Sequence, residues 1–370
     1  MTTMADILRS YGQAYVAQYV NDILPSHRKT INDIIQCRTR AKGGHVYECP
    51  DHHERDYKYH SCMNRHCPHC QNDQATRWLG KEQKRLLNVR YFLVTFTLPK
   101  ELRSLTRSHQ KLFYSLLFSE SWRAMSKLAR NPRWLGAKIG ALAVLHTWTR
   151  IMGYHPHVHF LVPAGGLSDD SSTWIHAQMN FFLSVRGLSR LFRAMMRDAL
   201  KDVAPELFEQ IPAEVWRKSW VVHSKAAGNG KSVLKYFAPY VFRVAISNKR
   251  IVKLANDQVT FLYKHQHNKR WTPMTLPVFE FLRRFLQHVL PLGFKKARHF
   301  GFLSSRNKHT LSVLQYALGT VESDDHGEDD RTAQVPCCPV CGKPMILIDI
   351  VPPGGFDRRP EFSQQQARAP

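Results

Sequence analysis

The sequence predicts an α+β protein with an antiparallel-rich central sheet, flanked by helices and preceded by a small zinc-binding domain. Helical and extended segments alternate irregularly, and several neighbouring strands have the spacing of hairpins. Cysteines and histidines are concentrated in residues 37–70, as in a metal-stabilised fold. The hydrophobic fraction of 43% over 370 residues is sufficient for a real core.

Apolar periodicity and turn residues predict the order of the elements. We expect the following segments in turn: a helix within 4–24, a zinc region at 37–70, a charged helix at 73–87, a strand at 92–98, a helix at 108–129, a strand at 140–148, a strand carrying His157 and His159, a helix at 188–202, a strand at 220–223, a chain break at 228–230, a hairpin at 251–264 around Asn256 and Asp257, and a helix at 277–289. Domains are expected at 1–90, at 91–310, and at 311–370, where an acidic linker leads to a small cysteine-containing unit and a disordered tail.

The formal net charge of +24 predicts a polyanionic partner, most simply nucleic acid. We find no signal peptide and no apolar run long enough to span a bilayer. The eight cysteines occur in close pairs with interleaved histidines, which indicates metal binding in a reducing cytoplasm and argues against a disulfide framework.

The N-terminal cysteines predict a structural zinc site. Cys67-Pro-His-Cys70 has knuckle spacing, and Cys49-Pro-Asp-His52 repeats it with histidine as the second ligand, or His53 in its place. We therefore expect one four-ligand site from these two pairs. The remaining candidates form a second zinc site or are free thiols and surface histidines: Cys37, His45, Cys62 and His66. Basic residues between the ligands, such as Arg65, are suited to phosphate contacts.

A further cysteine pair lies near the C-terminus, at Cys338-Pro-Val-Cys341. No second pair follows it. It is either an incomplete site or a site that borrows a ligand such as His326, and we expect no functional metal there.

The segment HPHVHFLVPAGG, from His155, predicts a buried strand with His157 and His159 on one face. Two such imidazoles can chelate a divalent cation, although strand histidines are often simple core residues. If the preceding strand forms a hairpin with this one, His146 lies roughly opposite His159 and supplies a third ligand. Imidazole favours Mn²⁺ over Mg²⁺.

Tyr236 and Tyr240 are four residues apart and share one helix face. Such a pair is either buried in an amphipathic helix or available as nucleophiles. Basic neighbours favour a face that handles phosphate: Lys235, Arg243, Lys249 and Arg250.

Several ordered motifs resemble the rolling-circle, two-tyrosine HUH transposases of the insertion sequence 91 family. These motifs span nearly the whole chain: residues 62–71, 96–99, 146–148, 155–159, the tyrosine segment running into 243–248, and 298–302. The resemblance implies an HUH endonuclease-like core at 91–310, structural Zn²⁺, and catalytic Mg²⁺ or Mn²⁺ on His157, His159 and a third ligand.

The resemblance also implies an activity. A tyrosine would attack single-stranded DNA at the ends of the element, leaving a 5′-phosphotyrosine and a free 3′-hydroxyl, and two tyrosines would exchange donor and target strands. Pro239 departs from a regular helix between the tyrosines, so that the helix starts near it or kinks there.

Two other functions fit parts of the sequence. A plasmid replication initiator or relaxase shares the HUH chemistry, but the zinc region and the absence of a helicase-like phosphate loop favour the transposase. The non-catalytic alternative is a zinc-dependent regulator that binds DNA or RNA and whose histidines and tyrosines belong to the core.

Overall fold

A computed structural model describes residues 2–70, 78–229, 234, 244–265, 268–319 and 335–354. Its helices are α1 Met4–Gln18, α2 Pro25–Ile35, α3 Arg103–Ser108, α4 Gln110–Arg130, α5 Val185–Val203, α6 Pro205–Phe208, α7 Ala213–Arg217, α8 Val278–Leu286 and α9 Lys308–Ala317. Its strands are β1 Gly44–Glu48, β2 Arg55–Tyr59, β3 Arg90–Thr97, β4 Gly140–Trp148, β5 Tyr154–Pro163, β6 Gly165–Leu167, β7 Trp174–His176, β8 Val222–Asn229, β9 Ile251–Ala255, β10 Gln258–Lys264, β11 Trp271–Pro277, β12 Ala297–Gly301 and β13 Ile346–Val351. Residues 78–83 are also helical.

The centre of the molecule is a five-stranded sheet in the order β12-β4-β5-β3-β8, and each neighbouring pair is antiparallel. The predicted α+β class with an antiparallel-rich sheet is thus confirmed. In the part of the chain that the structure describes, no helix is both long and apolar enough to cross a membrane.

One face of this sheet carries the main core. Phe92, Phe96 and Phe160 project from β3 and β5 and are buried against apolar residues of α4 and α5. The rings of Phe96 and Phe160 meet edge to face, with centroids 5.8 Å apart. Residues alternate along a strand, so the neighbouring positions of β3 and β5 face the other side of the sheet.

The turn of the β4–β5 hairpin is anchored by residues that follow α8. The Met152 carbonyl accepts hydrogen bonds from Gln287 Nε2 at 2.7 Å and His288 Nε2 at 3.0 Å. Nδ1 of His288 lies 3.2 Å from the Thr147 hydroxyl, which can donate to it. Burial lowers the pKa of His288 to about 4, so this ring is neutral and can accept and donate in this way.

Local sequence signals placed most boundaries within a few residues. The predicted hairpin around Asn256 and Asp257 forms from β9 and β10, and both residues have positive φ, as a two-residue turn requires. The first helix, Met4–Gln18, lies within the predicted range 4–24. The chain break predicted from residue 228 was wrong, because Gly228 and Asn229 belong to β8 and pair with the end of β3.

The N-terminal region holds two helices and a second sheet. Thr3 caps α1 in a reciprocal capping box with Asp6. The helices pack, together with Met152, in one apolar cluster against β9, β10 and α8. The sheet has the order β13-β1-β2, so a C-terminal strand completes the N-terminal sheet.

Shortening Phe160 tests the core that supports β5. We expect Phe160→Ala to lower the free energy of unfolding by about 3–5 kcal/mol, because it leaves a cavity between aromatic rings. Urea unfolding followed by tryptophan fluorescence measures this loss. Val221→Ala, at a side chain that is 65% exposed, is the control and should change stability by less than about 0.5 kcal/mol. Equal stability of the two variants would contradict this packing.

Candidate active site and zinc sites

Three histidines converge on the second face of the central sheet. His146 lies on β4, and His157 and His159 lie on β5. Their ring centroids are 4.8 Å apart for His157 and His159, 4.9 Å for His146 and His159, and 5.4 Å for His146 and His157. One ring nitrogen from each lies within 4.8 Å of the others, so small side-chain adjustments would bring all three onto one ion.

The predicted hairpin between the two strands forms, but its register differs from the prediction. His146 lies opposite His157, whereas Val144 lies opposite His159. The difference is two residues, and because side chains alternate with a period of two, His146 stays on the predicted face. The register is irregular between His146 and Trp148, at the end of the hairpin next to the turn.

Hydrogen bonds orient two of the rings. His157 Nδ1 donates a hydrogen bond to the main-chain carbonyl of His155, two residues earlier, at 2.7 Å. His159 Nδ1 lies 2.9 Å from the hydroxyl of Thr95, which is opposite it on β3. A proton on each Nδ1 leaves the Nε2 lone pair for a cation, and such supporting bonds fix metal-binding histidines in other proteins.

The two rings on β5 are uncharged at neutral pH. Burial lowers the pKa of His157 to about 4 and that of His159 to about 3. The neutral imidazole is the form that binds a metal. Three imidazole nitrogen donors fit a divalent cation of the Mn²⁺ type and leave coordination positions for oxygen ligands.

Sequence reasoning missed Thr95 and the partner of His155. The Arg103 guanidinium lies 2.7 Å from His155 Nδ1, and burial, followed by the charge of Arg103, lowers the pKa of His155. The sequence did contain a signal for Thr95. Thr95 and Thr97 are polar residues two positions apart in an otherwise apolar strand, so strand alternation places both on the same face.

Of the segment around the two tyrosines, the structure describes only Leu234, just before them. Tyr236, Tyr240, Lys235 and Arg243 lie outside the described residues. Leu234 is described and is buried against Val144 and Leu161, on the same face of the sheet as the histidines. The chain two residues before Tyr236 therefore lies on the histidine side.

Four cysteines form a compact cluster beside α2. Sγ of Cys70 lies 3.5 Å from both Cys37 and Cys62, and Cys67 Sγ lies 3.6 Å from Cys37. Tetrahedral zinc with bonds of about 2.3 Å to sulfur separates its thiolates by about 3.8 Å. The cluster therefore fits a structural four-thiolate zinc site.

The predicted zinc site of Cys49, His52, Cys67 and Cys70 is wrong. Cys67 and Cys70 combine with Cys37 and Cys62, whereas Cys49 and His52 lie beside Cys338 and Cys341. Each short pair was recognised correctly as a unit, but the pairing of units depends on the tertiary fold. His53 does not replace His52, because its ring contacts Glu48.

His45 and His66 belong to neither cluster, so the predicted second site of Cys37, His45, Cys62 and His66 is also wrong. The His45 ring meets that of His60 edge to face, with centroids 5.0 Å apart. His66 Nε2 accepts a hydrogen bond from the Leu290 main chain at 3.2 Å. Burial lowers the pKa of His66 well below its usual value, so this acceptor is neutral.

The basic residues predicted to contact DNA differ in their availability. Arg250 donates to the carbonyls of Leu262 and Arg150 at 2.7 and 2.6 Å, so its guanidinium serves the fold. Arg65 is exposed, although one of its nitrogens donates to the Phe294 carbonyl. Lys249 is exposed.

Comparisons with known proteins agree with this architecture. A family model described as a putative transposase matches residues 140–310, and one described as a transposase zinc-binding domain matches residues 7–98. The chain is 40% identical to a putative transposase, y4qJ, of Sinorhizobium fredii, over 94% of this chain and 95% of that protein. It is 28% identical to the transposase for insertion sequence element IS801 of Pseudomonas savastanoi pv. phaseolicola, over 75% of this chain and 70% of that protein. No solved structure matches significantly. The predicted family is confirmed, and the chain belongs to the insertion sequence 91 family of transposases.

Proposed function

We propose that this transposase nicks and rejoins single-stranded DNA at the ends of its element through a 5′-phosphotyrosine intermediate. The observation that carries the proposal is the convergence of three imidazoles, from His146, His157 and His159, on one face of the central sheet. A Mg²⁺ or Mn²⁺ ion bound there would act as a Lewis acid toward the scissile phosphate. The net charge of +24 supports binding of the DNA strand itself.

The side chains around the triad have separate roles in this proposal. Thr95 and the His155 carbonyl orient the two rings of β5 through their Nδ1 atoms. Arg103, bound to His155, places a positive charge next to the triad, where a DNA phosphate would be attracted. Lys249 and Arg65 are further candidates for contacts to the strand, as are Lys235 and Arg243.

The chemical step is an exchange of one phosphoester for another. The phenolic oxygen of Tyr236 or Tyr240 forms a bond to phosphorus while the bond between phosphorus and the 3′-oxygen breaks. The tyrosine loses its proton and the leaving 3′-oxygen gains one. The bond energy stays in the phosphotyrosine, so rejoining to a second 3′-hydroxyl requires no ATP. The position of Leu234 on the histidine face supports access of this segment to the triad.

Removing a ligand tests the proposed metal site. We expect His157→Ala to reduce nicking of a single-stranded element-end oligonucleotide by at least about 100-fold with Mn²⁺, because two ligands hold the cation poorly. His176→Ala is the control, since His176 is an exposed histidine on β7 that lies outside the triad. Equal activity of the two variants would refute the site. If the wild type forms no covalent adduct with Mg²⁺ or Mn²⁺, the chain acts without tyrosine chemistry.

Thr95 tests the orientation of His159. We expect Thr95→Val to raise the Mn²⁺ concentration required for half-maximal nicking by about 10- to 100-fold, because the ring loses its supporting bond. Saturating Mn²⁺ should restore most of the rate, which a general loss of structure would not allow. Thr97→Val is the matched control, because Thr97 lies opposite His157, whose Nδ1 is held by the main chain. An unchanged Mn²⁺ requirement in Thr95→Val would exclude this role.

The tyrosines are tested by separate Tyr236→Phe and Tyr240→Phe variants. Each removes one nucleophilic oxygen, so we expect each to block complete strand exchange, and the double variant to form no covalent adduct. Mass spectrometry of the trapped adduct identifies the attacking residue. Full strand exchange by either single variant would rule out an obligatory two-tyrosine mechanism.

A further inference from the structure

Four potential ligands from opposite ends of the chain meet beside β1. Cys49 Sγ lies 3.7 Å from His52 Nδ1 and 3.7 Å from Sγ of Cys341, a residue 292 positions away. With Cys338, the four ligand atoms all lie within 4.8 Å of one another. We propose that these residues bind a second zinc ion, which fastens the C-terminal strand to the N-terminal domain.

The distances fit a tetrahedral ion. Bonds of about 2.3 Å to sulfur and about 2.0 Å to nitrogen place ligand atoms about 3.5–3.8 Å apart. Three thiolates and one imidazole are a frequent structural zinc set, and they leave no open position for catalysis. Cys49 and Cys338 are buried at 0% and 2% exposure, whereas His52 is exposed, so two of the four ligands are fixed inside the fold and the ion would lie near the surface.

The main chain around the two ligand pairs has the same conformation. In each turn, the carbonyl of the first cysteine accepts a hydrogen bond from the main-chain amide four residues later. The His53 amide donates to the Cys49 carbonyl at 2.9 Å, and the Gly342 amide donates to the Cys338 carbonyl at 2.8 Å. The amide of each first cysteine donates to the carbonyl five residues on, that of Glu54 at 2.9 Å or Lys343 at 2.8 Å.

Both turns also contain a positive φ at the fourth residue after the first cysteine, 54° at His53 and 73° at Gly342. A histidine in this conformation is uncommon. The two turns have matching conformations, and their ligands converge on one point. Chance proximity of thiols would not produce this match, which indicates a metal site.

Other interactions contribute little to holding the C-terminal segment. β13 pairs with β1 along its length, but Ile346, Leu347, Ile348 and Ile350 are about half exposed. The apolar cluster at the site is small, with Tyr47 and Met345 as its largest members. The ion pair between Lys343 and Asp51, at 2.6 Å, is exposed to solvent and weak. The metal would therefore provide the main link.

Zinc content of the full-length protein tests the proposal. We expect the double variant Cys338→Ser/Cys341→Ser to contain one zinc ion fewer per chain than the wild type, by elemental mass spectrometry. Comparison with the wild type cancels any metal on the other clusters. Cys337→Ser is the matched control, because Cys337 is the adjacent cysteine, is exposed and lies outside the cluster. Hydrogen exchange should show the β13 amides unprotected in the double variant and protected in the control.

A second variant separates metal binding from general damage. His52→Cys supplies a thiolate in place of imidazole, so it should keep the wild-type zinc content, and its cobalt-substituted form should gain thiolate charge-transfer absorption. Unchanged zinc content in the double variant would overturn the proposal. So would a Cys338–Cys341 disulfide in the protein purified under reducing conditions. Loss of zinc with β13 still protected would overturn the fastening role.

Discussion

The register between β4 and β5 is the constraint on which the rest of the site depends. β5 lies inside the sheet, between β4 and β3. Its register with these strands therefore determines which of its side chains project from each face of the sheet. A slip of one residue would turn Phe160 and Val158 away from the core that they share with α4 and α5, and would place His157 and His159 in that aromatic core. Burying an imidazole there without a hydrogen-bond partner is unfavourable. The same packing that stabilises the core therefore sets the orientation of the imidazoles.

The hairpin turn is held from outside the sheet. The Met152 carbonyl accepts hydrogen bonds from Gln287 and His288, and the Met152 side chain is buried in the cluster that contains Cys37, Cys67 and Cys70. The four-cysteine site, the end of α8 and the hairpin turn thus form one packing unit. A zinc ion on those cysteines would act on the histidine site through this shared cluster.

Much of the fold and half of the site could be predicted from local patterns. Alternation of side chains placed His157 and His159 on one face, and the hairpin assumption added His146. The residue opposite His146 was misjudged because the sequence does not determine where the turn between β4 and β5 begins and ends, and these limits set the register. The prediction of the zinc ligands failed because it also depended on tertiary contacts. Knuckle spacing identifies Cys67 with Cys70, and Cys338 with Cys341, but contains no information about which pairs meet in space.

The two cysteine clusters support different parts of the molecule. The cluster of Cys37, Cys62, Cys67 and Cys70 adjoins the apolar core that contains Met152, at the turn of the β4–β5 hairpin. The proposed site at Cys49 belongs to a separate small cluster with Cys338 and Met345, on the sheet that β13 completes. Loss of the first ion should disturb the packing that supports the imidazoles. Loss of the second should free β13, because its side chains are largely exposed and it belongs to a different sheet from the histidines.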